Sequence, residues 1–276
     1  MPERTSVGTR AEVVTEAFSA TSGEVLVVCS RAAVVEAIVA AEASADLPEF
    51  VRLLVDETTA REVQRDFLTA TRVVDLVEAG RLEVRTVADD DLPLPALFVA
   101  SDRVVNVLPT GDGDEAAFVT SDEAVLETLR DSYTTAWDET DEFTFRTPAY
   151  STLLETLGDR LGDDVGDDMA AIFDLDATEA ALDGGLDEVD VAVLVAAKNG
   201  EQLYEISRWG ERIRLASPAK FSQAKQRLEE ADLIDTEKVP QDRGRPRQRL
   251  VLGAAMPADP GLEDLITTAR ETLSAS

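Results

Sequence analysis

The stretch SPAKFSQAKQRLEEADLIDTEKVPQDRGRPRQRLVLG, residues 217–253, decides how the chain is read. Ser217 is a strong helix-capping residue type. Pro218 fits the first helical position, where its missing N–H leaves no bond unmade. Phe221, Ala224 and Leu228 then recur at i, i+3 and i+7, the spacing of one apolar helix face. Lys220, Gln223, Gln226 and Arg227 fall on the opposite side. LIDTEKV reads as a strand, PQDRGRP as a turn rich in Pro and Gly, and RQRLVLG as a returning strand. Arginines stand at 243, 245, 247 and 249, four within seven residues.

Such a basic knot is out of keeping with the rest of the chain. The 276 residues hold 56 acidic and 26 basic side chains, a formal net charge of -30. Only four residues are lysine (Lys198, Lys220, Lys225 and Lys238), and all lie in one segment. Residues 198–250 contain twelve basic and nine acidic residues, a local balance of +3, so the remainder carries -33. One segment is exempt from the general acidity, which is the electrostatic footprint of a polyanion-binding site. Elsewhere the chain builds its solvated faces from Asp and Glu. That spread of carboxylates with few lysines resembles the composition of proteins from extreme halophiles, where carboxylates keep a surface hydrated in molar salt.

On the N-terminal side of Ser217, LDEVDVAVLVAAKNG predicts a helix with Val189, Val193, Leu194 and Ala197 at helical spacing. Asp187 and Glu188 suit its first turn, and Asn199-Gly200 its stop. EQLYEISRWGERIRLA reads as a second short helix, with Leu203, Ile206 and Trp209 inward. Three helices followed by a β-hairpin with a basic tip is the plan of a winged helix-turn-helix. RLEEADLI resembles the end of the recognition helix and the start of the wing in many such regulators, and GRPRQRLVL resembles their wing and last strand.

That plan assigns roles. The third helix enters the major groove of double-stranded DNA, with Ser222, Gln223, Gln226 and Arg227 nearest to base edges and Ser217 at its cap. Lys220 and Lys225 meet phosphates. The wing residues Arg243, Gly244, Arg245, Arg247 and Arg249 lie along the backbone or reach into the minor groove, where narrow A·T tracts attract arginine. RGRP, residues 243–246, also matches the core of an AT-hook. Strand-like flanks favour the wing, and both readings lead to DNA.

The first 145 residues have another texture. EVLVVCS (24–30) and FVRLLVDE (50–57) read as strands, with a helix over the RAAVVEAIVAAEASA between them. TAREVQRDFLTATRVVDLVEAG reads as one long amphipathic helix closed by Gly80, and RLEVRTV as the next strand. Strands near 96–100, 103–108 and 115–119 follow, joined by the hairpin signals ASDR and TGDGD, and then a helix over about 121–139. This alternation followed by a meander predicts a mixed-sheet α/β domain.

The strand-hairpin-strand-helix ending in LRDSYTTAWDE resembles the phospholipase-D-like sensor domain of TrmB-type archaeal sugar regulators. The catalytic His-Lys-Asp motif of true phospholipase D enzymes is missing, because the chain has no histidine. In the TrmB type the DNA-binding domain comes first, whereas here it comes last. Taken whole, the chain resembles the haloarchaeal TbsP-type transcription regulators. That resemblance implies sequence-specific promoter binding and a role in central carbon metabolism genes, which neither composition nor spacing reveals.

The expected organisation is an α/β sensor or dimerisation domain over 1–145, a helical linker over 146–185, a mainly α winged helix over 186–253 and a C-terminal helix over 254–276. In that last helix Leu262, Leu265, Ile266, Ala269 and Leu273 form a stripe that serves either core or dimer contact. Without histidine, Ser-His-Asp and Cys-His chemistry and most zinc sites drop out. No enzyme activity, metal or cofactor is expected. DLDATEAALDGG (174–185) lacks the Gly and Glu of a calcium loop at the sixth and twelfth positions. Ser30 and Arg31, where a strand passes into a helix, form a possible anion site, with an ordinary helix cap as the plainer reading. The expected partners are promoter DNA, a second copy of the chain and a small metabolite effector. No run is long enough to span a membrane, and Cys29 cannot form an internal disulfide, so a cytoplasmic protein is expected. The alternatives are an adaptor that binds another regulator, and a carboxylate-dependent enzyme with an appended winged helix.

Overall fold

The computed structural model describes residues 4–19, 23–43, 47–88, 92, 96–111, 114–175, 182, 185–239 and 247–275. These form two compact units, Met1–Ala149 and Tyr150–Ser276. The wing tip, with Arg243, Gly244 and Arg245, lies outside the described residues, as does most of 174–185. No helix among the described residues is long and apolar enough to cross a membrane.

The first unit is a mixed α/β domain around an eight-stranded sheet. In chain order its elements are β1 (Arg4–Gly8), α1 (Arg10–Ser19), β2 (Glu24–Cys29), α2 (Ala32–Ala43), β3 (Phe50–Asp56), α3 (Glu57–Arg65), α4 (Phe67–Glu78), β4 (Leu82–Val87), β5 (Ala96–Val99), β6 (Val104–Pro109), β7 (Glu115–Thr120), α5 (Glu123–Asp138) and β8 (Asp141–Glu142). The strand order is β1-β7-β6-β5-β2-β3-β4-β8. β2, β3 and β4 run parallel, and the remaining pairings are antiparallel. β2 shows why it is central. Val25, Val27 and Cys29 face one apolar cluster with Phe18 and Ile38 from the helices, while Leu26 and Val28 face another with Leu126 and Trp137 of α5. A strand buried on both faces reads as an unbroken apolar run, as EVLVVC does.

The first unit departs from the sequence reading at both ends and in one helix, with β8 added after α5. β1 and α1 precede the first strand that the sequence announces. The long helix expected to end at Gly80 is two helices, broken at Asp66. That residue leaves helical geometry (φ -78°, ψ 102°) and its carboxylate accepts from the Thr69 N–H, so it caps a new helix. A helical stop at Gly80 does occur: it takes φ +67°, the Arg81 N–H reaches Leu76 O at 2.8 Å, and the Gly80 N–H reaches Val77 O at 3.0 Å. This pair of bonds is a Schellman motif.

The second unit holds α6 (Tyr150–Leu161), α7 (Asp163–Phe173), α8 (Glu188–Lys198), α9 (Leu203–Arg212), α10 (Pro218–Glu230), β9 (Ile234–Val239), β10 (Arg247–Leu252) and α11 (Leu262–Ser274). α8 is its centre, with every residue from Val189 to Ala197 buried. The segment expected as a linker supplies part of that enclosure. Leu153 and Leu157 of α6 and Met169 and Ile172 of α7 are all fully buried, and α7 packs on α8. Lys198 of α8 meets Asp168 of α7 at 2.8 Å, and Trp209 of α9 donates to Thr156 of α6 at 3.3 Å. The middle of the last helix's stripe is core: Leu265, Ile266 and Ala269 are fully buried and α11 packs on α7, while Leu262 and Leu273 at its ends are half-buried.

Candidate nucleic-acid interface

α8, α9 and α10 with the β9–β10 hairpin form the winged helix-turn-helix, and local chemistry fixes each joint. Asp187 caps α8, accepting from the Val189 and Asp190 N–H groups at 3.1 and 3.0 Å. Asp190 accepts in return from the Asp187 N–H at 2.9 Å, which completes a capping box. α8 stops at Gly200, φ +67°. Gln202 then forms an isolated antiparallel bridge with Arg249, which ties the α8–α9 turn to the hairpin. α9 crosses α10 at Gly210, where a Cβ would stand 2.3 Å from the Phe221 ring. Only a residue without a side chain allows the two helices to approach so closely.

Between them, Ile213 is buried and Arg214 takes φ +63°, a conformation that non-glycine residues adopt rarely. Ser217 caps α10, with Pro218 in its first turn. Phe221, Ala224 and Leu228 are buried, as their spacing predicts. Ser217, Lys220, Ser222, Gln223, Gln226 and Arg227 are exposed.

The exposed side chains differ in what they are free to do. Gln223 makes no side-chain hydrogen bond among the described residues. Gln226 donates to Glu230 at 2.8 Å, one turn along the same face. The Ser222 hydroxyl donates to Pro218 O at 3.0 Å. Lys220 lies 2.7 Å from Asp187, whose hydrogen bond and charge raise the lysine pKa. Lys225 lies 2.7 Å from Glu229 with its side chain only 15% exposed, so it lies against the helix. Arg227 pairs with Asp190, whose side chain is 0% exposed. The sequence expectation places Arg227 at base edges and Lys225 at phosphates. In the structure each is held by a carboxylate of its own domain, and Asp190 would be stranded in the core without its partner.

Just ahead of α10 the structure adds two cations that the sequence expectation leaves out. Arg212, at the end of α9, and Arg214, in the turn, are exposed and form no ion pair among the described residues. They flank the N-terminal end of α10, the part of a recognition helix nearest to DNA. Their signal in the sequence is ERIRLASPAK, basic residues placed just ahead of a helix cap.

In the hairpin, Arg249 is exposed, and its Cα partner on β9 is Glu237. Arg247 begins β10 opposite Val239. The base of the wing is fixed by another close approach: a Cβ on Gly253 would stand 2.1 Å from Asp232 O.

In the first unit, the possible anion site at Ser30 and Arg31 is already served by a carboxylate. Arg31 pairs with Glu115, which is 1% exposed, and Arg10 reaches the same carboxylate at 3.1 Å. Burial pushes the Glu115 pKa up, but Arg31 and then Arg10 outweigh it and hold it below its ordinary value. Burial drives the neighbouring Cys29 thiol up to about 12, which disfavours the thiolate form. A separate cleft of about 600 Å³ is lined by Glu57, Thr86, Ser132, Tyr133, Glu139 and Asp141, among others. No cluster of three or more metal-ligating side chains occurs among the described residues.

Comparison with known proteins assigns both units. A family model described as the N-terminal domain of TbsP-like transcriptional regulators matches residues 3–148, and one described as their C-terminal HTH domain matches residues 149–270. No curated protein matches the chain. Among solved structures, the archaeal chromatin protein TrmBL2, described as showing a novel mode of DNA binding, is 14% identical with a TM-score of 0.36, over 51% of this chain and 55% of its own. The chain thus spans about half the length of TrmBL2. The phospholipase D family member Nuc from Salmonella typhimurium is 13% identical with a TM-score of 0.37, over 51% of this chain and 99% of Nuc. NucT from Helicobacter pylori is 10% identical with a TM-score of 0.35, over 51% of this chain and 100% of NucT. Likenesses this partial bear on neither mechanism nor substrate.

Proposed function

The chain belongs to the TbsP-like transcriptional regulators, and from that premise we propose that it binds promoter DNA sequence-specifically as a homodimer. The observation that carries this reading is the α10 surface. Gln223 and Gln226 are exposed, and the exposed Arg212 and Arg214 stand at its start, in a chain of net charge -30. Glutamine reads adenine edges through paired donor and acceptor, and arginine beside the helix start neutralises phosphate. The wing arginines Arg243, Arg245, Arg247 and Arg249 add backbone or minor-groove contacts. A dimer follows from the small surface of one winged helix and from the twofold symmetry of most operators.

The acidic composition supports a molar-salt, halophilic setting. At 1 M salt the Debye length is only about 3 Å, so DNA contacts there must be close hydrogen bonds, which the planar arginine fork suits. The target genes implied by the family resemblance are those of central carbon metabolism. Chromatin immunoprecipitation with sequencing tests the whole reading. Discrete peaks upstream of such genes support it, and an absence of peaks rejects it.

The first unit serves, in this reading, as a non-catalytic sensing domain. With Arg31 committed to Glu115, an anionic effector has no free cation at Ser30. The 600 Å³ cleft carries three carboxylates, hydroxyls and Tyr133, a lining that suits a neutral polyhydroxylated metabolite better than an anion. A thermal-shift screen of neutral sugars against sugar phosphates checks this. Shifts confined to the phosphates reject the assignment.

A further inference from the structure

The two edges of the eight-stranded sheet are treated differently. β8 is two residues long, and both, Asp141 and Glu142, are exposed carboxylates. A short, charged edge is a common guard against pairing with another chain. β1, at the other end, runs for five residues in unbroken register with β7 and carries no charge after Arg4. It contains no proline and no bulge. The register pairs Val7 with Ala116 and Thr5 with Phe118, so Val7 and Phe118 share one face of the sheet. They are 65% and 47% exposed, two of the four large apolar side chains that stand out from the described surface. The helix on this side, α5, packs on β5, and at the β7–β1 end of the face Val7 and Phe118 stay exposed among the described residues.

We propose that β1 and the Val7–Phe118 face beside it form the homodimer interface, with β1 pairing antiparallel to β1 of a second copy. This deepens the homodimer reading above and rests on it. Charge selects the occupant. In molar salt the long-range repulsion between two chains of -30 is screened, but carboxylates brought into direct contact still repel and lose hydration, so a patch without them is the favourable place to meet. On this face the exposed Val7 and Phe118 and the half-buried Thr120 are all uncharged. Glu115 of β7 points to the opposite side, toward Arg10 and Arg31. A basic partner protein would find no carboxylate to pair with on this face. Geometry agrees. A twofold axis normal to the sheet makes a strand its own antiparallel partner, and it keeps both copies of Val7 and Phe118 on one side as a continuous apolar strip.

The test is the mass of the full-length protein in molar KCl, by light scattering, for wild type and for Val7→Asp with Phe118→Asp. The expected result is a dimer for wild type and half that mass for the double variant, with an unchanged circular dichroism spectrum. A dimeric variant overturns the proposed surface and leaves the homodimer reading standing. A monomeric wild type overturns both. If the double variant does not fold, Val7→Cys replaces it, because the native Cys29 is buried. A short bis-maleimide should then yield covalent dimer from Val7→Cys and none from Glu62→Cys, an exposed control on α3. Absence of cross-linked dimer from Val7→Cys overturns the proposal.

Discussion

Arg227, on the exposed side of the recognition helix, is ion-paired to Asp190, a carboxylate with no exposure at the start of α8. Asp190 also accepts from the Asp187 N–H, and its other oxygen is buried without a hydrogen-bond partner. A charge in that position depends on its cation. Arg227 therefore ties α10 to α8, the central helix of its domain.

Removing one partner of a buried pair strands the other. Arg227→Ala should destabilise the domain by about 3 kcal/mol, toward the low end of the range for such pairs because Arg227 is itself part-exposed. Arg227→Met combined with Asp190→Leu should recover most of that stability. Urea denaturation in molar KCl measures both. An unaltered Arg227→Ala midpoint would return Arg227 to the role of a free DNA contact.

Gly210 is the second joint of the motif. A methyl group placed there meets Phe221 at 2.3 Å, and overpacking of this kind costs about 2–3 kcal/mol. Gly210→Ala should lower the melting temperature, and Phe221→Leu in the same chain should restore part of it. If Gly210→Ala melts like wild type, the close crossing of α9 and α10 is wrong.

The Glu115 carboxylate sets an acid limit for the first unit. Its pKa is held below the ordinary 4.5 in the folded state by Arg31 and Arg10, against the opposing effect of burial. A depressed folded-state pKa contributes stability that is complete above the unfolded value and disappears as pH falls through the folded one. Glu115→Gln should therefore be less stable than wild type near neutral pH, and the gap should close as the pH is lowered below about 4.5. Denaturation midpoints for the two proteins across that window provide the comparison. A gap that stays constant with pH would mean that the triad contributes no charge interaction.

Much of the recognition helix is legible in the sequence because its signals are local. Ser217-Pro218 and the Phe221, Ala224, Leu228 stripe each depend on residues within a few turns. So does the Gly80 stop. What is not legible depends on partners distant in sequence. Asp190 looks like any first-turn acid until α10 covers it 37 residues later. Arg31 looks like a free cation until β7 brings Glu115 to it from 84 residues away. Gly210 gives no sign of Phe221. The helices over 150–173 resemble a linker because LLETLGDRLG and DDVGDDMAAIF are short and acidic, yet their apolar residues close around α8. Asp66 reads as one more polar residue of a long helix, since a cap and an exposed helical Asp have the same letter.

Salt dependence separates the exposed arginines from the paired lysines. Removing a side chain that touches one phosphate should reduce the slope of log affinity against log salt by about 1. Arg212→Ala with Arg214→Ala should lower that slope by about 2 and weaken specific and unrelated duplexes alike. Lys225→Ala, which removes a cation already held by Glu229, should change it little. Equal slopes for wild type and the arginine variant would remove Arg212 and Arg214 from the interface.

The most direct measurement is selection of duplexes from a random library by the full-length protein in molar KCl, for wild type and for Gln223→Ala with Gln226→Ala. The wild type should enrich a motif of two inverted half-sites. The glutamine variant should enrich it at least about tenfold less, since each base contact discriminates by about 1–3 kcal/mol, while keeping its affinity for unrelated duplexes. If the wild type enriches no sequence, or the variant enriches the same motif to the same extent, α10 does not read DNA.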